Sequence, residues 1–252
     1  MGPYVMQIVA LAGFTLGFAN TLASSGSAIS LPILLGLGLA PELANGTNRV
    51  AVLAGAVTAV MSFARAGRIQ WPLVLPLTVS AVIGGLMGVA ISEVLSPHRM
   101  HLAILAAECV ALVLLVIRPS RWVNATGESP HVGPAQLAMV FLIGIWTGFI
   151  VLDGGTYLII LFVLSVGMDL LGANAAKAVI MASIAAVTLP VLAAGHHVDW
   201  WAAAVMAAGA VVGGLAGARV ALIPGVAPWV YRLIVLILAG ELAHLAWKAF
   251  AR

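Results

Sequence analysis

Apolar residues form long runs along most of this chain, and short polar stretches separate them. Eight of the runs cover residues 5–22, 50–64, 73–95, 100–117, 135–152, 173–194, 200–222 and 228–250. A helix that crosses a bilayer needs about 20 predominantly apolar residues. Most of these runs are therefore long enough to predict a transmembrane helix.

Two further apolar runs are too short to cross a bilayer comfortably. Residues 29–39 and 157–166 contain 11 and 10 residues, and such a segment is roughly 15 Å long as a helix. Irregular backbone at membrane depth is tolerated only where protein or a water-filled cavity covers it. We therefore expect a broken or re-entrant segment at each of these two places.

Several short motifs recur in the same order in the two halves of the chain. The matches are Gly17-Phe18 with Gly148-Phe149, Ala44-Asn45 with Ala173-Asn174, Ile69-Gln70-Trp71 with Val198-Asp199-Trp200, and Gly84-Gly85-x2-Gly88 with Gly213-Gly214-x2-Gly217. The glycine motifs have the spacing of closely packed membrane helices. We predict a first transmembrane repeat over residues 1–117, a polar cytoplasmic linker over 118–134 and a second repeat over 135–252.

The number of membrane crossings decides how the two repeats are related. Four crossings per half would make the repeats parallel, whereas five would make them inverted. We favour four, because the short runs are shorter than a span. In either case Arg65, Arg68, Arg118 and Arg121 fall on one side of the membrane, and the positive-inside rule makes that side cytoplasmic.

The composition supports the same class of protein. Hydrophobic residues make up 63% of the chain and charged residues 8%, against about 45–50% and about 25% in soluble domains. A soluble enzyme and a nucleic-acid-binding protein are therefore excluded. We predict an all-α polytopic membrane protein with two homologous repeats of about four transmembrane helices each, in a cytoplasmic (inner) membrane of the bacterial type.

The first short run follows a polar stretch that could bind an anion. Its candidate residues are Asn20, Ser24, Ser25, Gly26 and Ser27. Hydroxyl and amide groups can donate to an anion without a full positive charge, and a helix N-terminus favours an anion at the same place. Short hydrophobic segments at matching places in two halves indicate a transporter binding site. The alternative is an ordinary helix break at a water interface.

A second polar cluster contains Thr47, Asn48 and Arg49. Thr47 and Asn48 have side chains suited to an N-cap, which would place Arg49 in the first turn of the next helix. The helix dipole disfavours a cation there unless an anion lies nearby. The alternative is an interfacial arginine whose charge reaches the lipid headgroups.

The second half offers Asp153, Gly154, Gly155, Thr156 and Lys177. An ionisable residue at membrane depth is a functional candidate with an expected partner. Asp153 and Lys177 could pair across the gap, or Asp153 could carry a coupling proton. The alternative is that both lie unpaired at the level of the headgroups.

Two glutamates in apolar runs are further candidates for coupling. Glu108 and Glu241 each lie in the middle of a run, where an ionised carboxylate is costly unless it is paired or faces water. A structural hydrogen bond or a contact in a homodimer is the alternative for both. We expect no metal site, because the adjacent His196 and His197 would point to different faces of a helix.

The order of these motifs resembles the TauE/SafE family of membrane transporters. The residues that carry the resemblance are Gly13-x3-Gly17, Gly26, residues 29–34, Gly36, Pro41, residues 44–48, residues 67–71 and Gly84-Gly85-x2-Gly88. The family exports sulfite and organosulfonates such as sulfoacetate. The resemblance therefore implies that this chain moves a small sulfur-containing anion out of the cytoplasm.

The leading hypothesis is a secondary transporter, not an enzyme, coupled to protons or to the membrane potential. Its partners would be a small anionic substrate and the lipid bilayer, with no nucleic acid, and a homodimer is compatible with the sequence. No nucleotide-binding motif of the type G-x4-G-K-[ST] is present, so we expect no cofactor.

Two other hypotheses come from different functional classes. An intramembrane enzyme could use Ser24 or Ser25 as a nucleophile, but it would need a histidine base. A cation or metal transporter could use Asp153, Glu108 and Glu241 as ligands. These carboxylates are few and scattered, whereas hard cations prefer several oxygens in one place.

Overall fold

The computed structural model describes residues 3–22, 24, 26–92, 130–152, 154–226, 228–230, 232 and 236. The first half contains α1 (Pro3–Leu22), α2 (Gly26–Gly36), α3 (Pro41–Arg65) and α4 (Trp71–Ser92). The second half contains α5 (Pro134–Phe149), α6 (Gly154–Leu161), a π-helical turn (Phe162–Val166), α7 (Leu170–Ala194) and α8 (Trp200–Ala221). The described chain contains helices and no strands.

Five of these helices, α1, α3, α4, α7 and α8, are long and apolar enough to cross a membrane. α2, α5 and α6 with its π-helical turn are shorter apolar helices. The prediction of an all-α polytopic membrane protein is therefore confirmed. The two short apolar runs do form short helices, α2 and α6, each of which follows a break in the preceding helix.

The start of α3 corrects one expectation. Thr47 and Asn48 do not cap a helix, and Arg49 does not lie in a first turn, because α3 begins at Pro41. Proline favours the first position of a helix, where its missing N–H is not needed. The hydrophobic pattern placed the boundary too late, since residues 44–49 are polar or small yet buried against other helices.

Closely packed glycines show that α1 and α8 run in the same direction. A Cβ on Gly13 would overlap the carbonyl oxygen of Met206, and one on Gly17 would overlap that of Ala210. The contacts therefore advance together along both helices. Gly213 and Gly217 of α8 face the carbonyl oxygens of Phe14 and Phe18 in the same way, so the expectation that this glycine motif serves close helix packing is confirmed.

The same close packing joins α4 to α5. A Cβ on Gly84 would overlap the carbonyl oxygen of Phe141, and one on Gly88 would overlap that of Ile145. These two helices are also parallel to each other. α4 follows α3 after a short connection and returns alongside α7, where Gly85 lies against Ile184.

The central helices α3 and α7 are antiparallel. Arg49 near the start of α3 bonds to Thr188 near the end of α7. Further along α3, Ala59 lines the same cavity as Lys177 and Ala178, which lie near the start of α7. α3 is parallel to α8, because Thr47 contacts Asp199 before α8 and Gly55 packs against Ala210 inside it.

The helices therefore fall into two sets of opposite direction. α1, α3 and α8 run one way, whereas α4, α5 and α7 run the other way. Each of the long helices α1, α3 and α4 is thus antiparallel to its counterpart α5, α7 or α8. The described halves are inverted, and our expectation of parallel repeats is wrong. The origin of the two halves by duplication stays a prediction.

Candidate functional site

Both broken helices end in a buried residue, Leu22 in α1 and Phe149 in α5. Gly17 of α1 packs against Gly55 of α3. From this contact α1 continues five residues to its end at Leu22, whereas α3 continues ten residues to its end at Arg65. At about 1.5 Å per residue, the end of α1 lies roughly 8 Å short of the end of α3. We call the interval between α1 and α2 the first break and that between α5 and α6 the second break.

An asparagine from the opposite half binds the last residue of each broken helix. Asn174 Nδ2 on α7 donates to the carbonyl oxygen of Leu22, at 3.2 Å. Asn45 Nδ2 on α3 donates to the carbonyl oxygen of Phe149, at 3.5 Å. The last carbonyls of a helix have no partner within the helix, so each asparagine satisfies a group that the break leaves open.

These hydrogen bonds also relate the two halves residue by residue. They make Leu22 the counterpart of Phe149, and the helix contacts then make Gly17 the counterpart of Gly144. The sequence match had aligned Gly17 with Gly148, which is one helical turn further on. The structure therefore corrects the register of that match.

A buried cation lies beside each broken helix. Lys177 Nζ donates to the carbonyl oxygen of Asn20 and to Asn174 Oδ1. Arg49 donates from Nη2 to the carbonyl oxygen of Gly148, at 3.1 Å, and from Nη1 to Thr188 Oγ1, at 2.8 Å. The C-terminal end of a helix carries partial negative charge. Each cation therefore stabilises the end of a helix from the other half.

A small cavity lies beside the first break, between α1, α3, α7 and the start of α6. Its lining residues are Asn20, Thr21, Ser24, Val52, Ala56, Ala59, Gly155, Lys177, Ala178 and Met181. Its volume of about 20 Å³ is room for about one water molecule. A Cβ on Gly155 would lie 3.0 Å from Ser24 Cβ and 3.2 Å from Lys177 Cδ, so the glycine lets the start of α6 approach the first break.

The polar groups at this cavity are mostly donors. Ser24 has a left-handed backbone, with φ 73°, and its buried Oγ has no hydrogen-bond partner among the described residues. Lys177 is only 3% exposed, and two of its three N–H donors have the partners given above. The N-termini of α2 and α6 begin at the same two breaks, and their dipoles favour negative charge.

Four of the predicted binding residues, Asn20, Ser24, Gly155 and Lys177, meet at this cavity. Asn20 Oδ1 also accepts from the N–H of Gly26, at 2.9 Å, and so orients the start of α2. The cavity therefore combines one cation, one hydroxyl without a partner among the described residues and the first turn of α6. That combination suits an anion.

The other predicted binding residues of the first half make contacts between elements. Asn48 bonds to Ser27 Oγ, at 3.1 Å, and accepts from Ser30 Oγ, at 2.6 Å. Thr47 Oγ1 accepts from the N–H of Asp199, at 3.0 Å. These bonds fix α2 and the connection before α8 to α3. Arg49 lies at the second break, and none of these side chains lines the cavity.

Gly154 and Thr156 are buried in the first turn of α6. A Cβ on Gly154 would overlap Thr147 Oγ1, so this glycine serves close packing against α5. The role of both residues in binding stays a prediction.

Some predicted residues lie outside the described part of the chain. They are Ser25, Asp153, Glu108 and Glu241, and most of the linker 118–134 lies outside it as well. The pairing of Asp153 with Lys177 and the coupling role of the three carboxylates stay predictions.

Three residues of the site were not predicted from the sequence. Asn45 and Asn174 were matched between the two halves without a role at the site, although an amide repeated within two apolar helices is itself a signal for a buried hydrogen bond. Thr188, the partner of Arg49, had no distinguishing signal in an apolar run.

The described structure gives little support to the two alternative classes. Within its described residues, no group of three or more His, Cys, Asp or Glu side chains could hold a metal ion. His196 and His197 lie in the connection between α7 and α8. A serine nucleophile requires a base within hydrogen-bond reach. Ser24 Oγ contacts no base among the described residues.

Comparison with known proteins places the chain among membrane transporters. The sequence model of the family "Sulfite exporter TauE/SafE" matches residues 9–242. The chain is 27% identical to a probable membrane transporter protein of Sinorhizobium, over 68% of this chain and 66% of that protein. It is 24% identical to a probable membrane transporter protein of Haemophilus influenzae, over 89% of this chain and 88% of that protein. It is 22% identical to probable membrane transporter protein YfcA of Escherichia coli, over 89% of this chain and 84% of that protein.

No solved structure matches the chain. The family match extends over almost all of the sequence, including every residue that lines the cavity. This protein belongs to the TauE/SafE family of membrane transporters.

Proposed function

We propose that this protein is a secondary transporter that exports a small sulfur-containing anion, sulfite or an organosulfonate, across the cytoplasmic membrane. The observation that carries the proposal is the ammonium group of Lys177 at the cavity beside the first break. Within the described part of the chain, the charged residues that are buried are Arg49 and Lys177, and both are cations. A cation or metal substrate is therefore disfavoured there.

The groups at the cavity suggest how an oxyanion would bind. Its oxygens would accept hydrogen bonds from Lys177 Nζ and Ser24 Oγ, and charge-assisted bonds of this kind are the stronger ones. The dipoles of α2 and α6 would add favourable potential. Gly155 leaves the space in which the anion would approach Ser24 and Lys177.

The present cavity is smaller than such a substrate. It has room for about one water molecule, whereas sulfite has four non-hydrogen atoms. The halves must therefore move apart to admit an anion. Inverted halves that rock about a central site are the usual basis of alternating access.

The proposal includes the driving force for transport and the membrane in which the protein lies. Asp153, Glu108 and Glu241 are the candidates for a coupling proton, and the membrane potential is the other driving force for an anion. The bacterial origin of the relatives supports a cytoplasmic membrane of the bacterial type.

The test is flux in proteoliposomes that contain the purified protein. The vesicles are loaded with labelled sulfite, sulfoacetate, taurine, sulfate or acetate, and release is followed with and without an imposed pH gradient or potential. We expect release of sulfite or a sulfonate above that of empty liposomes. No release of any anion in the panel would refute the proposal, and uptake of divalent metal ions would favour the cation alternative.

A further inference from the structure

The two breaks are not equally open in this structure. Asn45 and Asn174 are counterparts, so residues at equal distances along α3 and α7 correspond. The resulting pairs are Val52 with Met181, Ala56 with Ala185, Ala59 with Thr188, and Arg49 with Ala178. The cavity at the first break is lined by one member of each of the last three pairs, Ala56, Ala59 and Ala178.

The equivalent space at the second break is filled by Arg49. Where the first break has the small side chains of Ala59 and Ala178, the second has Thr188 and Arg49, which bond to each other at 2.8 Å. Arg49 is fully buried. Its Nε is also buried and has no hydrogen-bond partner among the described residues. A buried guanidinium with an unused donor is costly unless another group satisfies it at some stage.

The two spaces lie on opposite sides of the middle of the protein. α3 and α7 have 25 residues each, and Val52 and Met181 lie next to their midpoints. The first cavity extends from Val52 toward the end of α3 and from Met181 toward the start of α7. The Arg49–Thr188 contact lies before Val52 and after Met181. Movement of the inverted halves would therefore open one space as it closes the other.

We propose that a second anion site forms at the second break, beside Arg49 and Thr188, in the state that opens to the opposite face of the membrane. The inference rests on the proposed function, because it takes the protein to be a transporter with alternating access. A small oxyanion would accept from the Arg49 guanidinium, whose fork of donors suits bidentate binding. Lys177 would hold the anion in one state and Arg49 in the other.

A matched pair of alanines tests this proposal. Ala56→Cys and Ala185→Cys are introduced separately in a Cys109→Ala background, which removes the one native cysteine. A membrane-impermeant maleimide is then added to one face or the other of sealed vesicles. We expect Ala56→Cys to be labelled from one face and Ala185→Cys from the opposite face.

Two further variants control for burial. Ala81→Cys and Ala210→Cys are fully buried at helix crossings and should not be labelled from either face. Thr188→Cys, which adds no volume to the side chain, replaces Ala185→Cys if the latter is not monodisperse in detergent. Labelling of both test positions from the same face, or failure of either to be labelled in a folded variant, would overturn the proposal.

Protection by sulfoacetate separates this proposal from the proposed function. Sulfoacetate should slow the labelling of both Ala56→Cys and Ala185→Cys. Protection of Ala56→Cys alone would overturn the second site while leaving the transporter of sulfonates intact. Labelling from opposite faces without protection at either position, together with no flux in proteoliposomes, would refute the proposed substrate class and overturn the second anion site with it.

Discussion

Asn45 and Asn174 make the same hydrogen bond in opposite halves of the protein. Each side-chain amide donates to the last carbonyl oxygen of the broken helix that belongs to the other half, Phe149 or Leu22. The two helices that carry these asparagines are antiparallel and pack in the centre of the molecule. Asparagines at matching positions of the sequence repeat therefore occupy equivalent places in the inverted halves, one at each break.

We expect Asn45→Ala and Asn174→Ala to destabilise the protein. Each change leaves a buried carbonyl without its partner, which costs about 1–3 kcal/mol. The measurement is thermal unfolding in detergent. Ser183→Ala is the control, because within the described residues this hydroxyl bonds only to Val179 of its own helix. Equal stability of the asparagine variants and the control would contradict the assigned role.

A second prediction concerns the cation at the cavity. Lys177→Met should weaken binding of a sulfonate or sulfite by roughly 10- to 100-fold, since a hydrogen bond to a charged group contributes about 1.5–3 kcal/mol. Binding is measured as the rise in unfolding temperature on addition of the anion. Lys177→Arg keeps the charge and should retain part of the shift.

The exposed Arg68 gives the control for that experiment. Arg68→Met also removes one positive charge, but it lies in the connection after α3, away from the cavity. It should leave the ligand-induced shift unchanged. A loss of the shift in both variants would indicate a general effect of charge and would contradict a specific role for Lys177.

A third prediction concerns helix packing. Gly17→Ala and Gly144→Ala each place a methyl group against a backbone carbonyl of the neighbouring helix, Ala210 or Ala81. Overpacking of this kind costs typically about 1–3 kcal/mol. Both variants should therefore unfold at lower temperature than the native protein.

The control for the glycines is Gly36→Ala. A Cβ at Gly36 would meet no atom within 4 Å, so this substitution should not lower the unfolding temperature. If Gly36→Ala is as harmful as the other two, the close approach of α1 to α8 and of α4 to α5 does not determine their stability.

The class of the fold could be predicted because the bilayer sets the length and polarity of its helices. Five of the eight long apolar runs became α1, α3, α4, α7 and α8, and the short runs became α2 and α6. The start of α3 could not be predicted in this way. Its polar residues 45–49 are buried by protein, and hydrophobicity does not distinguish such a surface from a loop.

The register and the direction of the repeat were also beyond the sequence. Gly13 and Gly17 are four residues apart, as are Gly144 and Gly148, so a shift of one turn matches glycine to glycine again. The number of crossings depends on the path of the short segments, which their composition leaves open. Contacts between helices were needed to determine the register and the direction of the repeat.

Only part of the candidate site could be predicted from the sequence. The sequence singled out Asn20, Ser24, Gly155 and Lys177, which meet at the cavity. It also proposed Thr47 and Asn48, which instead hold other elements in place. Polarity within an apolar run indicates a buried hydrogen bond, but only the tertiary structure shows whether the partner is protein or an open cavity.

The last prediction concerns the Arg49–Thr188 bond, which is testable by removing one hydroxyl. Thr188→Val keeps the shape of the side chain but leaves Arg49 Nη1 without its acceptor. Breaking a bond to a buried charged group costs about 1.5–3 kcal/mol. The matched control is Thr58→Val on α3, because Thr58 is also buried. Its hydroxyl bonds to the carbonyl oxygen of Ala54 in its own helix, just as the hydroxyl of Thr188 bonds to that of Ile184. Thermal unfolding should therefore show a larger loss for Thr188→Val than for Thr58→Val, and equal losses would mean that the contact with Arg49 contributes nothing to the stability of this state.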